Sequence, residues 1–415
     1  METQKVMNRG FVVLGAILIQ LALGAIYAWS VFTPSLAEVG WSKEETQWVF
    51  ALGLASFAVF MVFAGKKLNA WGPQKLAMIG GLILGLGYFL AGVLGGTSFW
   101  PLLILIGLIG GAGIGFAYVV PIAVGMRWFP DKKGMITGLA VAGFGFGAMI
   151  WVKLAGSWGH LIDSLGLSTT FMVYGVAFAL MVIIGGIWMK FPPANWKPEG
   201  FEARQAAAGG ASSEVEFTSN EMLGKVQFYL IFFTFVFSAG AGLMSIGLMK
   251  LYPMEALIDA GYTELEASAI AGTAMAVFFS LANGLGRILW GMMSDKLGRK
   301  TSIIIMTATQ GIIVILFTFM AGNEYLLYLG ATLIGFNFGG NFALFPTITA
   351  DTFGARNVGQ NYPWVFLAYG VGGIIGPILG GKMGDIGNFP LAFTISGIAV
   401  LIGTILVILV RPAKK

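Results

Sequence analysis

A chain of 415 residues that is 57% hydrophobic and 10% charged, with 62 glycines, is not an ordinary soluble domain. Its net charge is +5 with a pI near 9.2; the absence of cysteine excludes disulfides, thiolate metal sites and thiol catalysis. Apolar runs close to the ~20 residues that cross a bilayer as a helix predict an all-α membrane protein with twelve transmembrane helices, centred near residues 22, 57, 86, 110, 144, 179, 237, 279, 311, 334, 370 and 400. A closed barrel would instead alternate in segments of about 10 residues.

In chain order, the first run follows a basic start at Lys5 and Arg9, and no small-residue cleavage pattern precedes Trp29, so it is expected to stay as the first span. Five further spans lead to the longest polar interruption, Lys190 to Lys225, which separates six spans from six. The expected division is a first half at 1–190, a cytoplasmic linker at 191–225 and a second half at 226–415, with a surface helix over Ser219 to Val226. His160, the only histidine, falls in the loop after the fifth span, where one imidazole alone makes no proton relay. Of the 24 Lys and Arg, all but Lys43, Lys153, Lys250, Lys382 and Arg287 fall on the side of the termini. The positive-inside rule then places both termini in the cytoplasm of a cell that holds the protein in its inner membrane. Because the basic excess lies in short loops, nucleic-acid binding need not be invoked.

The two halves share landmarks in one register. Gly65 and Gly72 match Gly291 and Gly298 at an offset of 226, and Pro121 and Gly134 match Pro346 and Gly359 at 225. Parallel repeats with pseudo-symmetry follow. Arg287 breaks that symmetry, since its counterpart is Met61. A charge in a bilayer span costs several kcal/mol on most scales, faces the protein interior and marks a substrate or ion path. Arg287 is therefore the leading candidate site residue.

The loop from Gly291 to Lys300, with Asp295, Lys296, Arg299 and Lys300, resembles the loop signature of the major facilitator superfamily. Its first-half copy, Gly65 to Lys75, has Asn69 where the acid is expected. Asp295 would serve as a conformational latch against helix dipoles and neighbouring basic groups. More specifically, Arg127-Trp-Phe-Pro-Asp-Lys-Lys-Gly134, Tyr27-Ala-Trp29, Asn283-Gly-Leu-Gly-Arg287 and Ala343-Leu-Phe-Pro346 with Asp351 and Asn361-Tyr362 resemble the oxalate/formate antiporter family, related to the monocarboxylate transporters. That resemblance implies that Arg287 pairs with a substrate carboxylate. It implies an aromatic cage from Tyr27, Tyr118, Phe338 and Phe342, with Phe144 and Phe366 where the oxalate carrier has another tyrosine and a tryptophan. It also exposes a departure: Tyr369 stands where the oxalate carrier has a second basic residue, a lysine.

Helix geometry reaches the same layer independently. At 1.5 Å per residue, Arg287 lies about 12 Å in from Asp295, Tyr118 about 13 Å in from Arg127, and Phe342, Phe144 and Tyr369 ~13 to 20 Å in from their own charged ends. A guanidinium offers a planar fork to one carboxylate, and rings with a phenol enclose a short apolar tail. Helix packing and lipid contact are the competing roles for each aromatic. Asn283 lies one turn before Arg287 on the same face, where mammalian monocarboxylate transporters carry an aspartate tied to proton coupling.

The nearest acids to the centre, Glu264 and Glu266, open the eighth span near Lys250 and Asp259. They form either an outer vestibule for proton entry or a solvated helix start favoured by the dipole. Coupling thus stays open between anion exchange and proton symport. Gly143 to Gly147 lacks the strand and helix context of a nucleotide loop, and no Walker sequence, metal-ligand spacing or nucleophile and base pair appears. The expectation is a monomeric, cofactor-free carrier, not an enzyme, that moves a small monocarboxylate such as lactate, pyruvate, acetate or formate. Oxalate and formate exchange is the runner-up. A carrier of uncharged solutes would show several Gln, Asn and Glu in its spans.

Overall fold

The structure, a computed structural model, describes residues 7–156, 158–193, 196–198, 216–249 and 251–414. Most of the linker, and Lys250, therefore lie outside the described residues. The chain is all-helical. Its spans are α1 (Arg9–Trp29), α2 (Trp48–Trp71), α3 (Pro73–Gly95), α4 (Phe99–Trp128), α5 (Lys133–Ala155), α6 (Leu161–Gly186), α7 (Val226–Leu248), α8 (Glu264–Leu297), α9 (Arg299–Met320), α11 (Val358–Gly384) and α12 (Phe389–Ile408), each long and apolar enough to cross a membrane. The tenth predicted span is α10, Glu324–Phe353. It is less apolar because it carries Asn337 and Asn341, both buried, which hydrogen-bond to Thr309 and Ser238 of neighbouring helices.

Local signals explain the breaks. Ser42 and Glu45 form a capping box where the helix of α2 begins, and the α2 helix stops at Gly72, whose φ of 80° and ψ of 149° suit glycine. Pro73 then opens α3 at a position that needs no N–H. The second half repeats the turn at Gly298, with φ 85° and ψ 151°. The predicted Ser219 to Val226 helix is shorter: Ser219–Leu223, capped by Thr218 and Glu221, ends before α7 begins. In α3, α4 and α8 the turn widens to π geometry at Ala91–Gly95, Leu103–Gly110 and Ala274–Phe279.

Landmark glycines pack the halves together. Gly65 of α2 leaves room for the backbone of Gly359 and the ring of Pro363 in α11, and a Cβ at Gly291 of α8 would overlap the carbonyl of Gly134 in α5. The same close approach continues along α5 and α8. A Cβ at Gly138 would overlap the carbonyl of Arg287, and one at Gly145 would come within 3.1 Å of Gly284. Small residues here let two backbones touch, which places the backbone of Arg287 directly against the other half.

Candidate functional site

Arg287 is completely buried at this α5–α8 contact. Its Nε donates to Asn283 Oδ1 one turn earlier (3.1 Å), and its Nη1 donates across the halves to the carbonyl of Val141 (3.0 Å). The guanidinium lies over the ring of Phe342 (4.0 Å to the centroid) and faces Phe144 (5.4 Å). Its Nη2 has no hydrogen-bond partner. No carboxylate among the described residues stands within ion-pair distance, and Glu264 and Glu266 do not approach it. Both are exposed at the far end of α8, about 30 Å away along that helix. There Thr263 caps the helix and Glu266 closes the capping box with it.

The structure brings most of the expected aromatics together around Arg287. Tyr118 meets Phe144 (5.5 Å between ring centroids) and Phe366 (5.3 Å), and Phe366 stacks on Tyr369 (5.0 Å). Tyr369 in turn meets Phe342 (5.5 Å). Tyr27, the half-buried member, sets its ring on Phe144 (5.0 Å) and shares a hydrogen bond of 2.5 Å between its Oη and that of Tyr369. That bond ties α1 to α11 and so bridges the two halves on the side of Arg287 away from the termini. Phe338 does not join the cage wall; it backs Phe342 (5.3 Å) and Phe279 (6.2 Å).

Two further residues join these aromatics: Phe57, which no motif marked, and Tyr362, which stood in a motif without a site role. Phe57 of α2 touches Tyr118 (5.0 Å) and Phe366 (5.0 Å), at the centre of the cage. The repeat itself could have found it, because the 226-residue offset pairs Phe57 with Asn283. Tyr362 of α11 meets Phe366 (5.7 Å) and lies within electrostatic reach of Arg287 and Tyr118. It is fully buried, and its hydroxyl has no partner.

At the face of the termini, Asp295 accepts hydrogen bonds from the N–H groups of Gly134 (3.0 Å) and Met135 (2.8 Å) at the start of α5. Arg299 reaches Asp295 (2.6 Å) and Asp351 (3.1 Å), and Lys133 adds a contact to Asp351 (2.9 Å). A carboxylate at a helix N-terminus is favoured by the dipole and by unpaired N–H groups. The copy in the other half lacks the acid: Arg127 donates to Asn69 (3.3 Å) and to the carbonyl of Arg356 (2.9 Å).

Chemically, the centre is a buried cation with one unpaired guanidinium nitrogen and no anion beside it among the described residues, walled by rings. An unpaired buried charge is costly, so an anion small enough to enter would be bound strongly. The chain matches the Major Facilitator Superfamily family model over residues 12–278 and 251–415. It is 27% identical over 88% of its length to an uncharacterized MFS-type transporter, YhjX, of Escherichia coli K12, covering 86% of that protein. It is 26% identical over 98% of its length to the oxalate:formate antiporter of Oxalobacter formigenes, covering 94% of it. Among solved structures it is similar to the major facilitator transporter FucP in the outward conformation, with a TM-score of 0.69 at 15% identity, covering 98% of this chain and 99% of that one.

Proposed function

Because the chain belongs to the major facilitator superfamily, we propose that it is an alternating-access carrier of small monocarboxylates such as lactate, pyruvate, acetate or formate. The observation that carries this reading is Arg287, fully buried between the halves, with a free Nη2 and no carboxylate partner among the described residues. A substrate carboxylate supplies the missing negative charge and accepts the free donor, while the rings enclose its short tail. Residues 1–190 and 226–415 rock about the bound anion as two halves, joined by the linker 191–225. Both termini lie in the cytoplasm, and the carrier works as a monomer in the inner membrane. Transport proceeds by proton symport or by anion exchange.

Oxalate and formate exchange is the second reading, favoured by the similarity to the oxalate:formate antiporter. Against it stands Tyr369, a neutral phenol in the cage, which leaves a dianion facing one cation. The test is counterflow of labelled lactate in liposomes holding the purified protein, against a panel of mono- and dicarboxylates, with and without a proton gradient. Exchange confined to monocarboxylates supports the first reading, and a gradient-driven gain assigns symport. Strong oxalate exchange moves the assignment to the second, and indifference to every carboxylate removes both.

A further inference from the structure

Asp295 does two things in the second-half loop: it accepts from N–H groups at the start of α5 and pairs with Arg299. The first-half loop has Asn69 at that place, yet the start of α11, where the symmetry would put its acid, does hold a carboxylate. It comes from the linker. Half-buried Glu216 accepts from the N–H groups of Arg356 (3.0 Å) and Asn357 (3.3 Å), just before α11 begins. The bare backbone of Gly354, with φ 100°, makes the room, since a Cβ there would overlap this carboxylate. The next residue anchors the contact. Phe217 is completely buried against Phe353 (5.7 Å between centroids), and its N–H donates to the carbonyl of Phe353 (2.9 Å). Its own carbonyl accepts from the side-chain amides of Asn357 (3.0 Å) and Asn361 (2.9 Å). A carboxylate fixed on unpaired N–H groups at a helix start is the same chemistry that Asp295 brings to α5.

Arg356 is shared between the two sides of this contact. Its N–H goes to Glu216, and its carbonyl accepts from Arg127 Nη2 across the halves (2.9 Å). The two arginines oppose each other by like charge, and Glu216 lies within electrostatic reach of Arg127 to offset it. Asn69 gives Arg127 only one neutral oxygen (3.3 Å). The other end of the linker reaches the same arginine: the ring of Phe191 lies against the Arg127 guanidinium (3.7 Å), and Trp128 Nε1 donates to the carbonyl of Lys190 (2.7 Å). A linker that only tethered the halves would need neither a buried anchor at Phe217 nor a charge at this spot. We propose that Glu216 supplies, from the linker, the negative charge that Asn69 lacks, so that the linker is part of the gate that holds the halves together at the face of the termini. This role needs the halves to part at that face, as in the alternating-access reading above, and needs no particular substrate.

The natural chain has no cysteine, so a single introduced thiol reports on the gate. Ala123 of α4 is completely buried one turn before Arg127, and a Cβ built on Gly359 of α11 would come within 3.1 Å of its own, across the halves. Ala123→Cys is labelled with N-ethylmaleimide in the full purified chain, and the labelling rate reads how often the halves part there. Glu216→Gln keeps an acceptor oxygen but removes the charge, and should raise that rate about two- to fivefold, the range of an exposed ion pair. Adding Asn69→Asp puts an acid back beside Arg127 and should return the rate to that of Ala123→Cys alone. An unchanged rate in Glu216→Gln overturns the proposal. So does a raised rate that Asn69→Asp leaves raised, which is what loss of a purely structural strap gives. A thiol that reacts in none of these proteins shows that the halves do not part there, and sinks the alternating-access reading together with the proposal. If Glu216→Gln alone fails to fold, the variant that also carries Asn69→Asp decides: a folded protein labelled at the original rate supports the replaced charge, and failure of both to fold overturns it.

Discussion

Arg287 does three jobs with one side chain: it bonds to its own helix through Asn283, to the other half through Val141, and keeps Nη2 free. Arg287→Lys keeps the charge but loses the planar fork, so carboxylate exchange should fall by about 10- to 100-fold, the worth of one charge-assisted hydrogen bond. The check is initial exchange rate per correctly folded protein, and an undiminished rate would remove Arg287 from the site. Tyr369→Lys should raise the preference for oxalate over lactate by about tenfold, since a second cation would then face a dianion; competition between the two anions measures it, and an unchanged ratio would mean that the cage decides selection. Arg287 was legible in the sequence because a charge in an apolar run has no ordinary explanation. Tyr118 and Tyr369 were legible by depth. Tyr362 was legible only as part of a motif and Phe57 not at all, since an aromatic on a span looks the same whether it packs a helix or walls a site, and the carbonyl of Val141 carried no signal because every residue has one.

At the level of helices, α5 and α8 decide whether Arg287 sits where it must. Gly138→Val would push a branched side chain into the carbonyl of Arg287, an overpacking cost of about 1–3 kcal/mol that is relieved only by moving α8. Exchange should be largely lost and the melting temperature lowered. Gly247→Ala is the matching control: a Cβ there meets nothing within 4 Å, so both readouts should stay near those of the unmutated protein. The helices themselves were readable, because apolar length, the glycine turns at Gly72 and Gly298 and the following Pro73 are all local signals. The π segments were not. Nothing in the apolar stretch marks a widened turn such as Ala274–Phe279 in α8.

Across the whole molecule, the two halves meet at the face of the termini through an ion-paired clasp on the α5–α8 side and one without an acid at Asn69 and Arg127. The offset repeat anticipated both positions and the difference between them, whereas Asp351 and Lys133 joined the clasp only in three dimensions. Asp295→Asn removes the charge that two N–H groups and Arg299 share. Amide exchange at Gly134 and Met135 should then speed up several-fold, as for a weakened helix cap worth ~1 kcal/mol; unchanged protection would show that the halves stay closed without it. The bare guanidinium at the centre has an electrical consequence. Membrane voltage does work only on charge that crosses it, about 2.3 kcal/mol per elementary charge per 100 mV. Swapping one monoanion for another moves no net charge over the cycle, and a proton carried in with a monoanion cancels it, so neither draws current. Only a dianion traded for a monoanion would register on an electrode, and a carrier of monoanions by either route would take its net drive from concentration gradients and none from the membrane voltage.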